Sequence, residues 1–135
     1  MKNLKAFHID AGRKYYSKEQ LTDLIDVCSE NGFNLLELTI GNDGFRMFLN
    51  DMDLKTAYGS FAGDCVRSAL HEGNLAYCDN GTNELTEDEV DFLSRYSNER
   101  GIGVMPLINS PGHMDAILTA MKALGISDPS YKNSA

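Results

Sequence analysis

At 135 residues the chain is at most one domain, and 42% hydrophobic with 24% charged residues excludes wholesale disorder. A formal net charge of −8 argues against nucleic acid as a partner, because phosphate backbones call for clustered Lys and Arg. No apolar run is long enough for a membrane span, and the start MKNLKAFHID lacks the apolar stretch of a signal peptide, so either the protein is cytosolic or its real N-terminus lies upstream.

Leu4 to Asp10 reads as a short buried strand. A helix follows, opened by Ser17 with Gln20 three residues on, the spacing at which two orphan backbone donors are satisfied reciprocally. Leu21, Leu24, Ile25 and Cys28 share one face of that helix, and Asn31-Gly32 stops it. Asn34 to Ile40 is a nearly continuous apolar run of strand length, ended by Gly41-Asn42-Asp43-Gly44; the lack of a polar side marks a strand covered on both faces. Phe45 to Asn83 is less regular, with a short helix around Asp64 to Leu75. Thr86 with Glu89 repeats the capping box, Val90, Leu93 and Tyr96 form the apolar face behind it, and Gly101 ends that helix. Gly103 to Ile108 is a third strand. Ser110-Pro111 suits an N-cap and first helical position, with Ile117, Leu118, Met121 and Leu124 carrying the helix to Gly125. The three cysteines, Cys28, Cys65 and Cys78, cannot all pair within one chain and none sits in a C-x-x-C, so buried or half-buried thiols are expected.

Strands alternating with helices call for parallel pairing and right-handed crossovers. An open doubly wound sheet and the first three units of an eight-stranded barrel both fit, and the absence of G-x-G-x-x-G after the first strand counts against the dinucleotide-binding form. In both architectures chemistry sits past the C-terminal strand ends. Three polar, glycine-containing segments occupy that place: Asp10-Ala11-Gly12-Arg13, Gly41-Asn42-Asp43-Gly44 and Asn109-Ser110-Pro111-Gly112-His113. Together they offer a fixed cation, carboxylates or carboxamides, and an imidazole. Such a set suits a polyhydroxylated ligand, since Arg, Asp and Asn each make paired hydrogen bonds to neighbouring hydroxyls.

Each residue also has a plainer reading. Asp10 could cap a turn or partner an arginine, Arg13 could be a surface charge, and His113 could be a solvated residue near a helix start. His8 is expected to point into the core or between strand and helix. Glu87-Asp88-Glu89 looks like a carboxylate pair but opens a helix, where the macrodipole favours anions. A metal site from His8, Asp10 and His113 matches no H-x-H or H-E-x-x-H spacing, so neither metal nor cofactor is expected.

At the same three segments a resemblance becomes specific. H-I-D-A-G-R-K-Y-Y-S resembles the first-strand motif of glycoside hydrolase family 20, the β-N-acetylhexosaminidases. G-N-D-G-F-R-M-F-L-N-D-M resembles the turn after that family's second strand, especially in the lacto-N-biosidase-like and streptococcal surface branch. N-S-P-G-H-M-D-A resembles its Pro-Gly-His motif after the third strand. The ordered set, from about Ala6 to Leu124, is the strong signal. The resemblance implies a chain that is α/β in class: the first three β/α units of an incomplete (β/α)8 TIM barrel, residues 1–135 being part of one catalytic domain. It implies that Arg13 binds sugar hydroxyls in the −1 subsite, that His113 lies near the catalytic acidic pair, that Asn42 and Asn109 are polar contacts, and that Asp10 orients Arg13. Asn109 stands where many members have Asp, and Leu107 replaces a common Glu.

The implied reaction is substrate-assisted hydrolysis of terminal β-linked N-acetylhexosamine, or lacto-N-biose, with retention. The 2-acetamido carbonyl attacks the anomeric carbon while a Glu protonates the leaving oxygen and the preceding Asp orients the acetamido group. In the family that Asp-Glu pair follows the fourth strand, so this chain is expected to be inactive alone. The implied partner is an N-acetylhexosamine-containing glycan, and the implied location is secreted or cell-surface. With about 250 residues in a full barrel, open strand edges and an apolar inner face would invite a homo-oligomer, and a non-catalytic, self-associating carbohydrate-binding half-barrel is the alternative.

Overall fold

The structure is a computed structural model that describes residues 3–75 and 83–126. Its framework is three parallel strands, β1 (Ala6–Asp10), β2 (Leu35–Asn42) and β8 (Gly103–Ile108), with β2 in the middle. Between them in the chain lie α1 (Lys18–Glu30), the short strands β3 (Gly44–Phe45), β4 (Met47–Phe48), β5 (Leu54–Thr56) and β6 (Gly59–Phe61), then α2 (Gly63–Asn74), β7 (Leu85–Thr86) and α3 (Glu87–Glu99); α4 (Asp115–Ala123) follows β8.

Register sets what each face carries. His8, Glu37 and Met105 form one cross-strand row, and Asp10, Thr39 and Leu107 the next row towards the C-terminal ends. Because side chains alternate along a strand, Leu36, Leu38 and Ile40 project to the opposite face. There they are buried with Leu21, Ile25 and Cys28 of α1 and Leu93 of α3, forming the main core. Both capping boxes form: Ser17 and Gln20 exchange bonds at the start of α1, and Thr86 and Glu89 at the start of α3. A second core gathers Phe48, Val66, Ala69, Leu70 and Ala120 between the insert, α2 and α4. The helices α2 and α4 approach so closely that a Cβ on Gly73 would overlap the backbone of Ala116.

Several expectations are corrected. His8 does not enter the core: it lies on the sheet face away from α1 and α3, with Nε2 3.2 Å from Thr39 Oγ1 and Nδ1 3.6 Å from Glu37. With Glu37 and Thr39 on it, that face is mixed rather than apolar. Cys65 is exposed and Cys28 buried, while Cys78 lies outside the described residues. Helix α4 begins at Asp115, not at Pro111, because His113 takes a positive φ of 58° and its carbonyl is engaged by the Asp43 amide. Among the described residues no helix is long and apolar enough to cross a membrane.

Candidate functional site

The site is assembled where β1, β2 and β8 end. Asp10, the last residue of β1, turns one carboxylate oxygen back on its own loop, accepting from the Gly12 amide at 2.9 Å and the Arg13 amide at 3.4 Å. Its other oxygen accepts from Asn42 Nδ2 at 2.5 Å. Asn42, the last residue of β2, in turn accepts from Asn109 Nδ2 at 3.0 Å. One chain of polar groups therefore runs across all three strand ends. Each amide must present a particular end to its neighbour, so the orientation of both asparagines is dictated.

A second set sits on this chain. Arg13 donates through Nε to Asp43 Oδ2 at 2.9 Å, and its Nη2 lies 2.7 Å from the same oxygen. His113 Nδ1 is 3.3 Å from Asp43 Oδ1 and 3.3 Å from Arg13 Nη2. The imidazole nitrogen thus stands between an acceptor and a donor, and the ring's tautomer follows from which one it engages. Asp43 is nearly enclosed, at 11% side-chain exposure, whereas Arg13 and His113 are more than half exposed, at 52% and 59%. The carboxylate is the buried anchor, and the cation and the ring face outward.

Backbone geometry supports that arrangement. Asp43 and His113 are the two non-glycine residues at positive φ, 60° and 58°, among the described residues. Asp tolerates this region better than most residues, but the conformation persists only where its surroundings over-determine it. Here they do: Asp43 N donates to His113 O and Asp43 O accepts from Ala116 N, both at 2.7 Å. Glycines let the loops touch, since a Cβ on Gly12 would overlap the Asn42 backbone and one on Gly44 would overlap the Gly12 carbonyl.

All five residues singled out in the sequence, Asp10, Arg13, Asn42, Asn109 and His113, are thus joined in one connected network. Asp43 was missed. The available signal was an acidic residue inside a polar turn at a strand end, but its neighbour Asn42 offered the same signal. Arg46, buried beneath the Gly12 loop, was also missed. Tyr15 and Tyr16 pack against the main core beside the site. Burial, followed by the negative charges of Glu89, Glu19 and Glu84, pushes the Tyr15 phenol above its ordinary value. The Glu87-Asp88-Glu89 run does structural duty: Glu89 accepts from the Thr86 amide at 2.9 Å, and Glu87 accepts from the Asn50 amide at 2.7 Å. Among the described residues no group of three or more His, Cys, Asp or Glu side chains could hold a metal ion.

Similarity to known proteins extends over nearly the whole chain. Residues 3–135 match the model of the glycosyl hydrolase family 20 catalytic domain. The chain is 27% identical over 128 residues to β-hexosaminidase B of Pseudoalteromonas piscicida, covering 90% of this chain and 16% of that protein. It is 25% identical over 126 residues to a β-hexosaminidase of Vibrio vulnificus, covering 88% and 15%. Its structure superposes on a tandem GH20 catalytic module of the pneumococcal exo-β-D-N-acetylglucosaminidase StrH with a TM-score of 0.89 at 45% identity, covering 93% of this chain and 31% of that one. Likeness to the Bacteroides fragilis β-N-acetylhexosaminidase, TM-score 0.66 at 22% identity, speaks to the fold alone. The chain spans about one sixth of the curated relatives' length.

Proposed function

We propose, on the premise that this chain belongs to glycosyl hydrolase family 20, that it forms the first three β/α units of a (β/α)8 barrel and holds part of the −1 sugar subsite of a β-N-acetylhexosaminidase. The observation that carries the reading is the single network at the C-terminal strand ends, the face on which barrel enzymes place their sites.

In this reading each group has a task set by its surroundings. Arg13 spends Nε and Nη2 on Asp43 and His113, leaving Nη1 to donate to a pair of adjacent sugar hydroxyls. Asp43 offsets the guanidinium charge and holds its plane. His113, more than half exposed, extends the rim towards the scissile bond. Asn42 and Asn109 supply amide contacts, and Asp10 fixes the loop from which Arg13 springs. The proton chemistry belongs to the family's Asp-Glu pair, which these residues do not provide. Hydrolysis proceeds by attack of the 2-acetamido carbonyl with retention of configuration. The glycan carries terminal β-linked N-acetylhexosamine or lacto-N-biose, and a secreted or surface location goes with such a substrate. The outer edges of β1 and β8 pair with nothing among the described residues, so further strands of the barrel, or a second copy, complete the sheet there.

The test is release of a chromogenic aglycone from a β-N-acetylglucosaminide. The full-length protein hydrolyses it, and Arg13→Lys lowers kcat/KM by about tenfold to a hundredfold, because a single ammonium cannot reproduce the planar fork. Residues 1–135 alone give no turnover above a heat-killed control. An inactive full-length protein, or an Arg13→Lys variant with unchanged kcat/KM, sinks the reading.

A further inference from the structure

Arg46 is the one charged side chain with almost no solvent contact among the described residues, at 1% exposure. It lies outside the five-residue network, and no carboxylate of the described residues forms an ion pair with it. Among the described residues its partners are two main-chain carbonyls: Nε donates to Gly12 O at 3.1 Å and Nη1 to Asn83 O at 2.8 Å, while the buried Nη2 has no partner there. A buried guanidinium with an idle donor is poor stabilising chemistry, since desolvation of the charge is only partly offset by neutral acceptors. Its backbone is fixed as well, Arg46 N donating to Ile40 O at 2.9 Å and Arg46 O accepting from Leu85 N at 2.8 Å.

What Arg46 grips is the peptide that launches Arg13. Gly12 has its amide held by Asp10 and its carbonyl held by Arg46, so the peptide planes on both sides of Gly12 are set. The same glycine touches the Asn42 backbone, and its carbonyl lies against Gly44, so the guanidinium clamps the β1 loop onto the β2 loop where Asp43 stands. From this we infer that Arg46 is a positioning residue for the Arg13–Asp43–His113 cluster, acting through the Gly12 carbonyl. Its second bond, to Asn83, ties the same clamp to the segment leading into β7 and α3. The inference rests on the proposed sugar subsite for its activity readout but not for its structural one.

The experiment uses the full-length protein with Arg46→Lys, which keeps the charge but cannot reach both carbonyls with one fork. The expected result is a kcat/KM on the chromogenic β-N-acetylglucosaminide lowered about tenfold with the folded fraction at assay temperature unchanged. In combination with Arg13→Ala, Arg46→Lys causes no further loss, because residues acting through one another are non-additive. If the double variant falls by the product of the two single effects, or if activity falls only in step with the folded fraction, the inference is overturned. If the wild-type protein is inactive, the proposed function fails, and Arg46 is judged on the His113 ring resonances in 1H–15N spectra: a shift in Arg46→Lys supports the clamp, and unchanged resonances overturn it. Where Arg46→Lys does not fold, Arg46→Met, which keeps the volume and removes the buried charge, is read by the same outcomes.

Discussion

The molecule builds an arginine–aspartate–ring cluster twice, and the two copies are put to different use. At the rim, Arg13 and His113 share Asp43. Between the helices, Arg100 and Tyr96 share Asp26: the Tyr96 hydroxyl lies 2.8 Å and 3.0 Å from the two carboxylate oxygens, Arg100 Nε bonds the same carboxylate, and the guanidinium sits 3.3 Å over the tyrosine ring. In the helix cluster the carboxylate is the open member, at 42% exposure, and the arginine sits over the ring and donates through Nη1 to the Tyr96 carbonyl at 3.3 Å. At the rim the order is reversed: the carboxylate is enclosed and the arginine and ring are open. Donors turned inward can only tie α3 to α1. Donors anchored from beneath and facing out can meet a ligand.

The sharpest way to break this contrast is Asp43→Asn. Asn accepts positive φ as readily as Asp, so the backbone survives, but the charge that holds Arg13 and His113 is gone. Affinity for N-acetylglucosamine, measured calorimetrically on the full-length protein, is expected to fall about tenfold to a hundredfold, the loss of a charged hydrogen bond, with little change in melting temperature. Asp26→Asn is expected to leave that affinity untouched. Equal effects from the two variants would erase the distinction.

Two glycines extend the comparison. An alanine at Gly44 would drive its Cβ into the Gly12 carbonyl, forcing the rim loops apart at about 1–3 kcal/mol of stability. Gly101, next to Arg100, sits at φ 71° with open space for 4 Å around an added Cβ, so Gly101→Ala meets only the left-handed backbone, a cost of about 1 kcal/mol. Denaturant titration checks both, and only Gly44→Ala should also weaken sugar binding. Binding loss in Gly101→Ala would show that the helix layer and the rim are coupled.

What could be seen in the residues follows the same division. The helix layer announces itself locally: Ser17/Gln20 and Thr86/Glu89 cap as their spacing dictates, and the third strand runs from Gly103 to Ile108 as expected. The second strand extends to Asn42, past the expected end at Ile40, because pairing with β8 and β3 continues through the glycine. That Asp10, Arg13, Asn42, Asn109 and His113 would lie together at the strand ends was legible from their position at or just past a strand end and from the ordered motifs. Asp43 and Arg46 were not. Asp43 matters because of what reaches it from 30 and 70 residues away in the chain, and Arg46 because β2 and β7 carry it beneath a loop of β1. The start of α4 failed for a related reason: Ser110-Pro111 has good local capping chemistry, but the Asp43 amide claims the His113 carbonyl and the chain turns before it coils.

The smallest expected effect concerns acid. The Tyr96 hydroxyl first, and Arg100 second, hold the Asp26 carboxyl below its ordinary value. A carboxylate whose folded value is depressed contributes stability that is fully present above the unfolded value, about 4, and is lost as pH falls through the folded value. Tyr96 mirrors it, since the bond to Asp26 raises the phenol, and that contribution disappears only as pH rises through the raised value. Below about pH 4 only the aspartate of the pair titrates, so the stability gap between wild type and Tyr96→Phe should hold above that pH and narrow as pH falls beneath it. Urea titrations at several pH values on either side of about 4 measure it. A gap that stays constant would mean the hydroxyl contributes packing rather than charge stabilisation, and the helix cluster would then owe its hold to Arg100 lying on the ring.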